Sequence, residues 1–205
     1  MSILNSFLLK TTSVKKICIS FIASHFVLLL MMVYTFPVIN NQIGTKAFDL
    51  QPFGYSVSKA ASIVNNLNDQ TTSLYLFPQL TLLDLLYPFL LALFLSSLLF
   101  RLIKITRAKS KIASIFLIIP FLTMMFDYSE NICIILMITK SIDISETIVV
   151  LSSTFTILKG VLTSVSWIAI FVYGIIWFRM KILERNNNRA LTNPKRHINR
   201  NLSKR

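Results

Sequence analysis

The sequence predicts an all-α fold: a bundle of four transmembrane helices with a short amphipathic helix in the first outer loop. Three observations predict it. The 205 residues are 54% hydrophobic and only 14% charged, with a mean hydropathy of +0.66, too apolar for an ordinary soluble domain. Four apolar runs, at 17–39, 76–100, 112–139 and 147–178, are each long enough for the ~20 residues that span a bilayer core. Basic residues, finally, gather on every second link. Lys10, Lys15 and Lys16 precede the first run, Arg101, Lys104, Arg107, Lys109 and Lys111 fill the link between the second and third, and nine more lie from Arg179 to Arg205. The opposite links carry Lys46, Lys59 and Lys140 against Asp49, Asp69, Asp143 and Glu146. The positive-inside rule then puts both termini in the cytoplasm.

Helices are the reading because only helices and closed barrels satisfy the backbone in lipid. The runs are too long and continuous for barrel strands. In the first, ICISFIASHFVLLLMMVYTF is longer than a signal-peptide core, and PVINNQ offers no small-x-small cleavage site, so it reads as a retained helix. The second run contains Pro88, which should free the Asp84 carbonyl and kink the helix there. Residues 1–180 therefore form one membrane domain and 181–205 a basic, Asn-rich tail, expected to be disordered and cytoplasmic. That tail sets topology and can contact anionic lipid, at ~1 kcal/mol per basic residue. The placement of the +13 formal charge is thus explained without nucleic acid.

Within the outer loop at 40–75, Ser56 can cap a helix with Val57, Ala60, Ala61, Val64 and Leu67 on one face, ending near Asn65, Asn66 and Asn68. Cys18 and Cys133 lie in separate helices without a C-x-x-C partner, which fits packing and not a disulfide framework. His25 reads as a packing histidine, so no metal site is expected. Four glycines and the absence of a phosphate-cradling loop, H-E-x-x-H or G-x-S-x-G leave nucleotide hydrolysis, zinc proteolysis and serine hydrolysis without support, and no cofactor is expected.

The chemistry lies in the spans. Counted from the outer ends at ~1.5 Å per residue, Asp84 is about 12 Å deep, Glu130 about 14 Å, and Asp127 and Lys159 about 18 Å. Four charged positions share one layer. Asp127, Glu130 and Asn131 stand at i, i+3 and i+4 on one helical face. Ser152, Thr156, Lys159, Thr163 and Ser166 form a polar stripe on the fourth helix, beside Gly160 and Ser164, a small-xxx-small pair that would admit a neighbouring helix. The second helix adds Tyr87. Two acids near the centre of the third helix cost about +5 to +7 kcal/mol on insertion, against about −4 to −8 from its 14 Leu, Ile and Phe residues. Lys159 can neutralise one of three carboxylates, so a proton, a cation or a ligand must meet the excess. The candidate site is therefore Asp84, Tyr87, Asp127, Glu130, Asn131, Thr156 and Lys159.

Three places, GYS with the loop helix, LYL…LLDLLYPFL and PFLTMMFDYSEN, give residues 50–138 a pattern that resembles an uncharacterised group of bacterial four-helix integral membrane proteins, with D-x-x-E-N its most specific part. The resemblance implies the four-helix fold and an inner-membrane location and assigns no reaction. Helix count and buried acids are also similar, loosely, to sterol-isomerase-like membrane proteins. The sequence leads to a multi-pass protein binding a proton, cation or small polar ligand at the acid/Lys layer. Two alternatives accompany it: an intramembrane lipid-modifying enzyme using a carboxyl acid and a carboxylate base, and a structural or assembly protein in which the layer locks helix register.

Overall fold

The computed structural model describes residues 2–108 and 111–192; the disorder expected for 193–205 lies outside them. The chain is helical, with no strand among the described residues. Its elements are α1 (Ser2–Thr11), α2 (Val14–Leu30), α3 (Phe36–Ile43), α4 (Val57–Asn66), α5 (Asp69–Leu74), α6 (Asp84–Ile105), α7 (Lys111–Phe116), α8 (Ile119–Ile138) and α9 (Glu146–Thr192). π-helical turns at Met31–Thr35 and Tyr75–Leu83 join α2 to α3 and α5 to α6. Four of the described helical stretches are long and apolar enough to cross a membrane: Val14–Ile43, Asp69–Ile105, Ile119–Ile138 and Glu146–Asn188.

The boundaries differ from the sequence expectations for local reasons. The second span does not start as a regular helix at 76. Phe77 has φ −140° and ψ 125°, ahead of a cis bond to Pro78, and regular helix resumes only at Asp84. This interruption lies upstream of Pro88, where a kink was expected and through which α6 continues. Pro88 lies inside α6, and the Asp84 carbonyl that its missing N–H leaves free is bonded from α8 instead. The third span divides at Leu117–Ile118 because Pro120 opens α8, and Ser96 Oγ satisfies the Leu117 carbonyl at 3.1 Å. The fourth helix runs on to Thr192, so 181–192, expected as disordered, continues α9. At ~1.5 Å per residue its 47 residues extend about 70 Å, well past a ~30 Å hydrocarbon core.

The N-terminal basic flank was also more than a charge signal. It carries α1, which buries Leu8 against the α6 side of the molecule, bonds Thr11 Oγ1 to Ser97 Oγ at 2.7 Å, and leaves the Thr12 carbonyl to Arg101 at 3.0 Å. α6 is central, packed against α2, α8 and α9, while α8 packs on α9.

Two apolar cores follow. One, formed by Ile17, Leu91, Phe94, Leu95, Leu99, Leu117 and Ile170 among others, fills the half nearer the termini. The second gathers Ile39, Ala47, Phe48, Ile63, Tyr75, Ile134 and Val149 at the loop end. α4 joins that core through Ala60, Ile63 and Val64, with Ser56 Oγ capping at the Lys59 N–H. Ile63, absent from the expected face, is fully buried, whereas Ala61 is only half-buried.

Candidate functional site

The loop is fixed to the helices before it contributes to the site. Gly54 has φ +78°, and a Cβ there would lie 2.8 Å from that of Ser153, so this close approach to α9 requires glycine. The next residue, Tyr55, receives the Ser153 hydroxyl at its carbonyl and donates its N–H to Ser153 Oγ, at 3.1 and 3.0 Å. Its own hydroxyl donates to Ser152 Oγ at 2.6 Å. Burial pushes the Tyr55 phenol above its ordinary pKa, so it stays neutral.

Below the loop, α8 and α9 bring Asp127, Glu130, Thr156 and Lys159 into contact. Lys159 Nζ stands 2.5 Å from Asp127 Oδ1 and 2.6 Å from Glu130 Oε2. Thr156 donates its hydroxyl to Glu130 Oε1 at 2.7 Å. Glu130 is wholly buried, while Lys159 and Asp127 keep side-chain exposures of 17% and 10% on the cavity side. The i, i+3 spacing put both acids on one face; Lys159, central in the polar stripe, answers both. This is a three-residue ion cluster, held further by the hydroxyl of a fourth residue, Thr156.

Asn131 and Asp84 form the next contact. The carbonyl freed by Pro88 accepts the Asn131 amide N–H at 3.3 Å, so the proline's missing donor is replaced from α8. The Asp84 side chain, 3% exposed, turns instead toward the loop. There it neighbours Asp49, in the short 3-10 turn Phe48–Leu50, which lines the same cavity. Asp49 Oδ2 accepts the Tyr75 hydroxyl at 2.6 Å, and Tyr75 in turn accepts the Phe48 N–H at 3.0 Å. Asp49 Oδ1, Asp84 Oδ2 and Asp127 Oδ2 are buried without another hydrogen-bond partner.

A cavity of about 280 Å³ joins these groups, at the small end of the ~300–1,000 Å³ of ligand pockets. Asp49, Asp84, Tyr87, Asp127, Lys159 and Thr163 give it polar wall, and Met31, Phe36, Leu91 and Met124 most of its apolar wall. All four candidate spans line it.

Six of the seven sequence-predicted residues thus fall into direct contacts with one another or with an adjoining one, and Tyr87 shares the cavity. Asp49 and Tyr75 were missed. The expected close approach at Gly160 and Ser164 is not made: no atom lies within 4 Å of a Cβ built on Gly160, Ser164 is exposed, and Gly160 borders the cavity. His25 packs tilted against Phe21 with ring centroids 4.1 Å apart, its Nδ1 2.9 Å from the Phe21 carbonyl. Among the described residues no group of His, Cys, Asp and Glu has the geometry to hold a metal ion.

Compared with known protein families, curated proteins and solved structures, the chain matches none.

Proposed function

We propose that this is a non-enzymatic, four-helix membrane protein that binds a proton or small cation at the acid layer in the loop-side half of the membrane. The observation that carries the reading is the charge balance of the cavity. Four carboxyls, on Asp49, Asp84, Asp127 and Glu130, face one ammonium among the described residues, Lys159. Ionised together they outnumber that ammonium, in a medium where an uncompensated charge costs several kcal/mol. Something positive must therefore accompany the folded state. Three buried carboxylate oxygens without partners supply places for it.

The test is a binding count on purified protein in neutral-lipid nanodiscs, by proton uptake on acidification and by titration with NaCl and KCl. Wild type should take up more protons or cations than Asp84→Asn and than Asp49→Asn. Equal uptake by all three overturns the reading.

One observation favours a second reading, a lipid-modifying enzyme: the cavity walls are largely apolar and reach both Asp84 and Asp127. Its test is the lipid profile of cells lacking the protein, which this alternative requires to change.

A further inference from the structure

Resting on the acid-layer reading, we propose that Asp49 and Asp84 form a distinct single-proton site, and that this proton latches the outer loop over the cavity. The two carboxyls come from different structures. Asp84 belongs to the first turn of α6, whereas Asp49 is carried into the cavity by a turn outside the regular helices of the spans. Asp49 Oδ1 and Asp84 Oδ2 are each buried without a hydrogen-bond partner.

The hydrogen-bond directions and the burial favour Asp84 as the carrier of the proton. The Phe48 N–H donates to the Tyr75 oxygen, which leaves the Tyr75 proton for Asp49 Oδ2. Asp49 is thus the acceptor, and Asp84, the more buried partner, is the group that can donate to Asp49 Oδ1. Two carboxyls in this arrangement bind one proton between them, since two like charges at that range away from bulk water repel strongly. A metal cation would need several oxygens around it, which the described residues do not assemble.

Among the described residues no other neighbour supplies the missing charge. From α8 the facing groups are Asp127 and Glu130, both acidic; from α9 it is Lys159, already between those two. Tyr55, Tyr75, Tyr87 and, from α8, Tyr128 are the other titratable groups near the pair, and each is a neutral phenol at ordinary pH. The first span contributes Leu28, Met31, Met32 and Phe36 to this cavity and no ionisable group.

The loop is built to respond. Its turn lies between Gly44 at φ +68° and Gly54 at φ +78°, with Gly54 and Tyr55 pinned to α9. Losing the Asp84 proton sets two carboxylates beside each other, and Asp49 and the cavity-lining Leu50 move outward about the buried Ala47 and Phe48. Exchange with the solution on that side then opens. From the opposite side the cavity is closed by the apolar core around Leu95 and Leu99.

The experiment is cysteine labelling in nanodiscs as a function of pH. Leu50→Cys reports the turn and Phe53→Cys, at a position 92% exposed, corrects for thiol reactivity, both in a Cys18→Ser, Cys133→Ala background. The Leu50→Cys to Phe53→Cys rate ratio should rise several-fold with pH and should be flat and low with Asp84→Asn, whose amide keeps a donor toward Asp49. Asp49→Asn should also flatten it, which gives a second test if one variant fails to accumulate. A ratio independent of pH without these changes, or one that still rises in both, overturns the latch. Proton and cation uptake on the same samples separates the two levels: uptake that needs Asp84 beside a flat ratio removes the latch and keeps the acid-layer reading, and uptake independent of Asp84 removes both.

Discussion

Asp127 and Glu130 on α8 face an ammonium at 2.5 and 2.6 Å, whereas Asp49 and Asp84, in the same cavity, face each other. All four are carboxyls largely removed from water, so the difference lies in the partner. The Lys159 group ties α8 to α9 with a cation belonging to the chain, and its integrity is a matter of folding. On the proposed reading, the Asp49–Asp84 pair ties a loop to α6 through a positive charge taken from solution. Identical side chains therefore divide between a structural role and an exchangeable one.

The largest effect should come from removing the internal cation. Lys159→Met leaves two buried acids unpaired, and breaking such a cluster costs about 3–5 kcal/mol. Membrane accumulation and detergent-unfolding midpoints should fall sharply, and adding Asp127→Asn with Glu130→Gln should restore most of the loss. Failure of that rescue would mean that Lys159 acts through packing and not charge.

Gly54→Ala should come next, at about 1–2 kcal/mol for the left-handed backbone, with added crowding against Ser153. It should loosen the loop and raise Leu50→Cys labelling at every pH. Thr156→Val removes one hydroxyl from Glu130 and should cost about 0.6–1.7 kcal/mol, the range for hydrogen bonds between membrane helices, read as a lower unfolding midpoint with proton uptake unchanged. Asp84→Asn should shift the unfolding midpoint least near neutral pH, because an amide replaces a protonated acid of nearly the same shape. Alkaline pH probes the loop's other anchor. Burial raises the Tyr55 pKa in the folded chain, so the stability its burial gives is intact below about pH 10, the unfolded value, and is lost as pH climbs from there. Tyr55→Phe should reduce the fall in unfolding midpoint between about pH 9 and pH 11.

The Lys159 half of the layer was legible in the sequence because helices convert spacing into geometry. Asp127, Glu130 and Asn131 at i, i+3 and i+4 had to share a face, and Lys159 lay at the same depth. Even the Asp84 carbonyl, freed by Pro88, pointed to a partner, found in Asn131. The Asp49 half was not legible in that way. Asp49 stands in a loop, where no period assigns depth, and its charge reads as an ordinary outer-side acid. Its one local signal is the apolar pair Phe48 and Leu50 around it, a weak indication that the turn folds inward. Tyr75 was hidden similarly, since a π-helical turn at Tyr75–Leu83 removes the 3.6-residue register on which face assignments depend.

The most direct measurement of this division is infrared difference spectroscopy of the carboxyl C=O stretch in wild type, Asp84→Asn and Asp127→Asn. The account predicts a protonated-carboxyl band in wild type near neutral pH that disappears in Asp84→Asn and persists in Asp127→Asn. Absence of the band from wild type, or its loss only with Asp127→Asn, would contradict it.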